Sequence, residues 1–373
     1  MAEKQATARR GLTLTELLVV VSIMVIVAGA LVPMVQPLLK GRNPREAARQ
    51  LNVMMAGAQA RAMATGRSAG IWLERAAHEP NDPPELWYSV YKVYLAEEPV
   101  PYSGDFDDSR VAITQANSGV WQANFLPDIS CCQSAATLVQ IGDFIRLNQR
   151  GPRYPIVGMD TTKISFTVPP QTPRPMTPAR YLNSTTGTTF EIFRQPIKSA
   201  SSPIEMPNNT AIDLSVSGFA DLNTGTPSLT KFREMSPEYD IAIMFSPDGG
   251  IDHIFFISHE PNIPTFAVRP ASNISLLIGR SDKVGRDLQK ATNITNDAAQ
   301  NVTGPMGLAS LEEKANIWLT IASHSGRVSS AENAGISLAT MNTILANPGA
   351  FDARSLIGEC RQYADTGQSM GGR

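Results

Sequence analysis

The sequence has few residues of the kinds that build metal centres or covalent scaffolds. Only three cysteines and four histidines occur among 373 residues. Cys131 and Cys132 are neighbours, and neighbouring cysteines rarely pair with each other. At most one disulfide is therefore possible, from either of them to Cys360. The histidines lack the two-His helical spacing of a zinc site; they are His78, His253, His259 and His324. We therefore expect no metal site and no cofactor.

An excess of charge is also absent. The formal net charge is −2 at pH 7, which argues against nucleic acid as a main partner. With 42% hydrophobic and 18% charged residues, the composition is that of a folded protein. The acidic run Asp105, Asp107 and Asp108 lacks the glycine and the glutamate that a calcium loop needs at its sixth and twelfth positions. A solvated acidic turn is the favoured interpretation.

Catalytic motifs are equally scarce. There is no P-loop and no dinucleotide-binding fingerprint. Residues 66–70 match the G-x-S-x-G pattern of hydrolases. However, a predicted helix precedes this pattern and a predicted strand follows it, which is the reverse of the order that a nucleophile elbow requires. The sequence therefore predicts that the protein is not an enzyme.

What the sequence does contain is one long uncharged segment near its N-terminus. Residues 17–39 carry no charge, which meets the ~20-residue length of a membrane-spanning helix. Arg9 and Arg10 precede this segment, and Glu16 stands at its head. A signal peptide cleaved near residues 28–30 and an ordinary single-span anchor are two interpretations. Neither explains a carboxylate beside an apolar run, which is costly and marks a functional residue.

A third interpretation rests on Gly11 followed by Leu-Thr-Leu-Thr and Glu16. This pattern resembles the prepilin-peptidase site of type IV pilins and type II secretion pseudopilins, although Leu12 stands where the family usually has phenylalanine. The resemblance implies cleavage after Gly11 and N-methylation of Leu12. It also implies that Glu16 pairs with the N-terminal amine of a neighbouring subunit. Pro33 falls where many relatives carry a proline, and we expect a helix kink there.

The segment after the uncharged run predicts a second helical stretch. Asn43 and Pro44 are typical of a helix start, and Gly66 of a helix end. Apolar residues recur between them at three- and four-residue spacing, which predicts an amphipathic helix; they are Ala47, Leu51, Met54, Met55, Ala58 and Ala62. With the strand predicted at residues 69–73, this stretch resembles H-type minor pseudopilins and FimT-like pilins.

In most of the remaining chain, apolar and polar residues alternate as they do in β-strands. Strands are predicted at 86–95, 120–125, 141–147, 164–168, 190–195, 211–216, 241–245, 253–257, 317–321 and 327–329. Helices are predicted at 276–291, 338–345 and 353–363.

Together these features predict an α+β fold, in which a long N-terminal transmembrane and amphipathic helix packs on a β-rich, antiparallel, pilin-like head. The expected organisation is a leader (1–11), an anchor helix (12–39), its amphipathic continuation (40–66) and a head (67–373) with an insertion at about 75–235. The resemblance implies a minor pilin or pseudopilin subunit of a type II secretion or type IV pilus-like filament. The implied partners are a prepilin peptidase, other subunits and inner-membrane lipid, with the head in the bacterial periplasm. The alternative is a membrane-tethered periplasmic enzyme or binding module.

Overall fold

Two antiparallel β-sheets form the main framework of the part of the protein that the structure describes. The computed structural model describes residues 14–15, 17–27, 42–79, 81–117, 119–126, 132–160, 162–169, 174–176, 182, 186–220, 231–260, 263–286, 308–346 and 353–366. Within these ranges the helices are few and mostly short, whereas the strands form an eleven-stranded and a six-stranded sheet. The predicted α+β class is therefore wrong, because the chain is predominantly β.

The predicted transmembrane anchor is contradicted as well. Among the ranges just given, no helix is both long enough and apolar enough to cross a membrane. The described part of the predicted anchor consists of helical residues 14–15 and 17–27. The single-pass placement in a bacterial inner membrane, which depended on that anchor, is corrected with it.

Helix α1 (Arg42–Thr65) is the longest helix among the described residues, and it begins one residue before the predicted cap. Its apolar residues recur at three- and four-residue spacing, so they fall on one face and are buried there; they include Ala47, Leu51, Met55, Ala58 and Ala62. Gly66 ends the helix with φ of +65°, a backbone conformation that suits glycine. The helix-to-strand order predicted around the G-x-S-x-G pattern is thereby confirmed.

The eleven-stranded sheet carries α1 on one face. Its strands are β1 (Ala69–Arg75), β2 (Ser89–Glu97), β9 (Ile197–Lys198), β10 (Ile204–Glu205), β11 (Thr210–Gly218), β12 (Tyr239–Phe245), β13 (Ile251–Ser258), β14 (Phe266–Val268), β15 (Ile274–Arg280), β16 (Ile317–Ile321) and β17 (Val328–Glu332). Their order is β14-β13-β12-β1-β2-β11-β15-β16-β17, and β9 and β10 pair with β2. All pairings in this sheet are antiparallel.

Alternation along β1 and β12 gives this sheet two buried faces. Ile71 and Ile243, which are register partners, pack with α1 in the largest core. Trp72 and Ala242, also partners, point to the opposite face and pack there with Phe144 of the second sheet. The first sheet is therefore a central layer between α1 and the second sheet.

The second sheet comes from the chain between β2 and β9. Its strands are β3 (Arg110–Asn117), β4 (Val120–Leu126), β5 (Phe144–Leu147), β6 (Tyr154–Met159), β7 (Lys163–Thr167) and β8 (Phe190–Phe193), in the order β3-β4-β7-β6-β5-β8. This sheet has a core of its own, which includes Trp121, Phe166 and Phe190.

The remaining helices surround the sheets. They are α2 (Pro84–Trp87), α3 (Ala135–Leu138), α4 (Lys231–Glu234), α5 (Leu338–Ala346) and α6 (Ala353–Asp365). Helix α6 contacts β16 and β17, and Ile357 and Cys360 pack there with Trp318. Helices were predicted at α5 and α6, and both are confirmed. The helix predicted at 276–291 is wrong, because its first part is strand β15.

Candidate functional site

The residues that the sequence identifies as functional lie at the start of the chain. Gly11 and Leu12 for processing, Glu16 for assembly and Pro33 for the kink all lie outside the described residues. Their roles stay predictions.

Helical residues 17–27 are apolar except for Ser22. Their large side chains are 49% to 71% exposed. Ser22 satisfies its hydroxyl within the helix by donating to the Leu18 carbonyl oxygen at 2.8 Å, so it offers no polar face. A continuous apolar surface of this kind marks a site of interaction with another molecule.

The outer face of α1 exposes apolar side chains beyond the exposed ion pair of Arg49 and Glu46. Val53 is 70% exposed and Met63 is 53% exposed. Between and beside them Ala56, Ala60 and Ala64 recur every four residues on the exposed side. Small residues at this spacing let a second helix approach closely.

Two ion pairs connect α1 to the sheet. Arg45 pairs with Glu332 at 2.6 Å, at one end of the helix. Arg61 pairs with Glu97 at 2.9 Å near the other end. Because both pairs lie at the margins of the helix, they set how α1 lies across the strands.

A cluster of two histidines and one aspartate lies at one edge of the first sheet. His78 follows β1, Asp240 is the second residue of β12, and His259 follows β13. Because β12 pairs antiparallel with both β1 and β13, its start lies beside the ends of its two neighbours. The topology therefore brings together residues that are 162 and 19 positions apart in sequence.

Both histidines contact the same carboxylate. His78 Nε2 lies 3.0 Å from Asp240 Oδ1, and His259 Nε2 lies 2.9 Å from Oδ2. The centroids of the two imidazole rings are 3.8 Å apart. The Asp240 side chain is fully buried, whereas the side chains of His78 and His259 are 29% and 40% exposed.

Two further donors orient the carboxylate. Trp72 Nε1–H donates to Asp240 Oδ2 and the Arg75 amide donates to Oδ1, each at 2.8 Å. Burial by itself would raise the pKa of Asp240. The hydrogen bonds from His259, His78, the Arg75 amide and Trp72 outweigh burial and hold that pKa well below its ordinary value. The hydrogen bond to Asp240 also raises the pKa of His259.

Lys198 stands at the margin of the cluster. Its Nζ lies 3.8 Å from Asp240 Oδ2 and forms a closer ion pair with Glu74. The ammonium group also lies 5.1 Å from the centroid of a Trp72 ring and 4.6 Å from that of Tyr94. Lys198 is therefore positioned mainly by Glu74, Trp72 and Tyr94, and not by the two histidines.

A cleft of about 570 Å³ lies next to the cluster, between the two sheets. Its walls include Gln140, Ile141 and Gln195 from the second-sheet segment, and Ser258, His259 and Thr265 from the end of β13 and the loop after it. His259 thus belongs to both the cluster and the cleft.

Arg153 forms polar contacts between the two sheets. It precedes β6, and its Nη1 lies 3.1 Å from Glu98 Oε1 and 3.5 Å from Asp252 Oδ2. Its guanidinium also lies 3.7 Å from the centroid of the Phe193 ring. These contacts help to hold the second sheet against the first.

Other candidates from the sequence do not form a site. Asp105 accepts hydrogen bonds from the Ser134 amide and the Tyr102 hydroxyl, each at 3.0 Å, so it joins its own loop to the residues just before α3. Cys132 and Cys360 are buried in different cores, and they form no disulfide with each other. Cys131 lies outside the described residues.

Comparison with protein-family models finds no match, and comparison with curated proteins finds none either. The predicted placement among pseudopilins and secretion proteins therefore gains no family support and is not retained.

Proposed function

We propose that the protein is a structural subunit of a pilin-like filament and not an enzyme. The observation that carries the proposal is the apolar helical surface of residues 17–27, every large side chain of which is about half exposed or more. Such a surface is unfavourable in water and is stabilised when equivalent helices of neighbouring subunits cover it. The occupants we propose are further copies of this chain or sister subunits.

The outer face of α1 would extend the same contact. Its alanines at four-residue spacing permit close helix packing, and Val53 and Met63 add apolar area beside them. The two sheets would then lie outside the packed helices. A body of two sheets is bulky for repeated self-contact, which supports a minor, low-copy subunit.

The N-terminal pattern supplies the proposed partners. A prepilin peptidase would cleave after Gly11 and leave an N-methylated amine on Leu12. The Glu16 carboxylate would pair with the corresponding amine of a neighbouring subunit, which sets the axial register of the helices.

Photo-crosslinking in the producing cells tests the helix contact. A photoreactive residue at Val25 should yield adducts with other copies or sister subunits, and Ile23→Asp should reduce those adducts at least tenfold. Phe106→Asp is the matched control, because Phe106 is 62% exposed but belongs to the head; its adducts should equal those of the wild type. Absence of any protein adduct at Val25 would contradict the proposal.

A binding module is the second candidate function, and the cleft beside His259 favours it. A module of this kind would retain its ligand when residues 17–27 are altered. The Ile23→Asp variant therefore separates the two functions, since only the filament role depends on that segment.

A further inference from the structure

We propose that His78, Asp240 and His259 form a binding site for a divalent transition-metal ion, with zinc as the ion of choice. This site goes beyond the filament role and does not depend on it. One ligand atom from each residue can be chosen so that all three lie within 4.8 Å of one another.

The donor set matches the chemistry of zinc. Two imidazole nitrogens and one carboxylate oxygen are the three protein ligands of many zinc sites that keep a fourth position open. Zinc bonds of ~2.0–2.2 Å place neighbouring ligand atoms roughly 3–3.5 Å apart. Each histidine already lies at that distance from one oxygen of Asp240, His78 Nε2 at 3.0 Å from Oδ1 and His259 Nε2 at 2.9 Å from Oδ2. The full set of three ligand atoms lies within 4.8 Å, so binding of one ion would draw the set closer together.

The buried ligand is held in place and the other two can adjust. Trp72 and the Arg75 amide donate to the two oxygens of Asp240, which is the outer-shell support that ligating carboxylates usually have. The side chains of His78 and His259 are partly exposed, so they can rotate slightly around an ion that enters from solvent.

An ion here would join three separate segments. It would tie the connection after β1 and the end of β13 to the start of β12. The fourth position would take water or a carboxylate from a partner, and His259 connects this position to the adjacent cleft.

Lys198 is the group that opposes the ion. Its ammonium, 3.8 Å from Asp240 Oδ2, repels a cation and competes for the same oxygen. Lys198→Met keeps an apolar stem beside Trp72 and removes the charge, so it should tighten zinc binding severalfold.

Calorimetric titration of the full-length protein with zinc chloride at pH 7.5, after treatment with a chelator, tests the site. The wild-type protein should bind one zinc ion per chain. His78→Ala and His259→Ala should each weaken binding more than about 100-fold. His324→Ala is the matched control, because His324 is exposed and outside the cluster, and it should bind as the wild type does.

Circular dichroism tests whether the two histidine variants are folded. We expect that they are, because the side chains of His78 and His259 are partly exposed. If a histidine variant is unfolded, Lys198→Met decides the question through its tighter binding. A wild-type protein that binds no zinc would overturn the proposal. So would folded His78 and His259 variants that bind zinc as tightly as the wild type, or a Lys198→Met variant that binds more weakly.

Discussion

Gln59 of helix α1 donates a hydrogen bond of 2.7 Å from Nε2 to the carbonyl oxygen of Gly249, 190 residues further along the chain. Gly249 lies in the turn between β12 and β13 and has φ of +92°. A third residue, Gly326, completes the contact, since a Cβ added there would lie 2.0 Å from the same Gly249 oxygen. The helix, the hairpin turn and the turn before β17 therefore meet at one tightly packed point.

Gly326→Ala should destabilise the protein by more than about 2 kcal/mol. Its φ of +62° disfavours a side chain by ~1–2 kcal/mol, and the added methyl group would also meet a backbone oxygen. Gly57→Ala is the matched control, because a Cβ at this exposed helical position meets nothing within 4 Å. The control should be stabilised by about 0.5–1 kcal/mol, since alanine is the better helix former. Urea unfolding measures both, and equal effects of the two variants would count against this packing.

Leu51→Ala should lower the free energy of unfolding by about 2–5 kcal/mol. Leu51 lies on α1 and is fully buried against the first sheet, so its truncation leaves a cavity. Val53→Ala, two residues away but 70% exposed, should change stability by less than about 0.5 kcal/mol. Denaturant unfolding of both variants checks which face of α1 is packed, and a larger effect at Val53 would reverse the assignment.

Stability should fall as the pH rises from about 4 to about 6, partly through Asp213. Burial raises the pKa of Asp213 to about 6, although hydrogen bonds to Ser215 act in the opposite direction. A folded-state pKa above that of the unfolded chain means that the folded state holds the proton more tightly. Asp213 therefore adds to the free energy of unfolding below about pH 4, and this stabilisation is lost above about pH 6. The stabilisation is on the order of 2–3 kcal/mol.

Asp213→Asn isolates that contribution, because asparagine keeps an acceptor for Ser215 and does not titrate. Unfolding at pH 4.5 and at pH 7 should differ less in the variant than in the wild type. Asp143, whose pKa burial also raises to about 6, keeps its share in both proteins. An identical pH dependence of the two proteins would show that Asp213 has no shifted pKa.

Local periodicity predicts the parts of the fold that depend on neighbouring residues. The spacing from Ala47 to Ala62 predicts α1, and alternation predicts β12 and β13. Local periodicity fails where a short apolar run suits either a helix or a strand. Residues 274–280 are an example, since they form β15 because β11 and β16 pair with them. Residues 84–87 are helical and not the start of the predicted strand, since Pro84 favours a first helical turn.

The histidine–aspartate cluster could not be predicted from local sequence patterns. His78 and Asp240 are far apart in sequence, and no spacing rule connects them. They meet because β1 and β12 pair antiparallel, a contact that only the sheet topology creates. The sequence points to Asp240 only through a carboxylate placed next to the apolar run 241–245.

The filament proposal depends most directly on how the chain begins in its mature form. Intact-mass spectrometry of the protein purified from its own cells, combined with N-terminal fragmentation, measures this. We expect a chain that starts at Leu12 with one added methyl group. Its formal charge changes from −2 to −4 by the loss of Lys4, Arg9 and Arg10 together with Glu3. A mature chain that starts at Leu31, or one that retains residues 1–11, would contradict it.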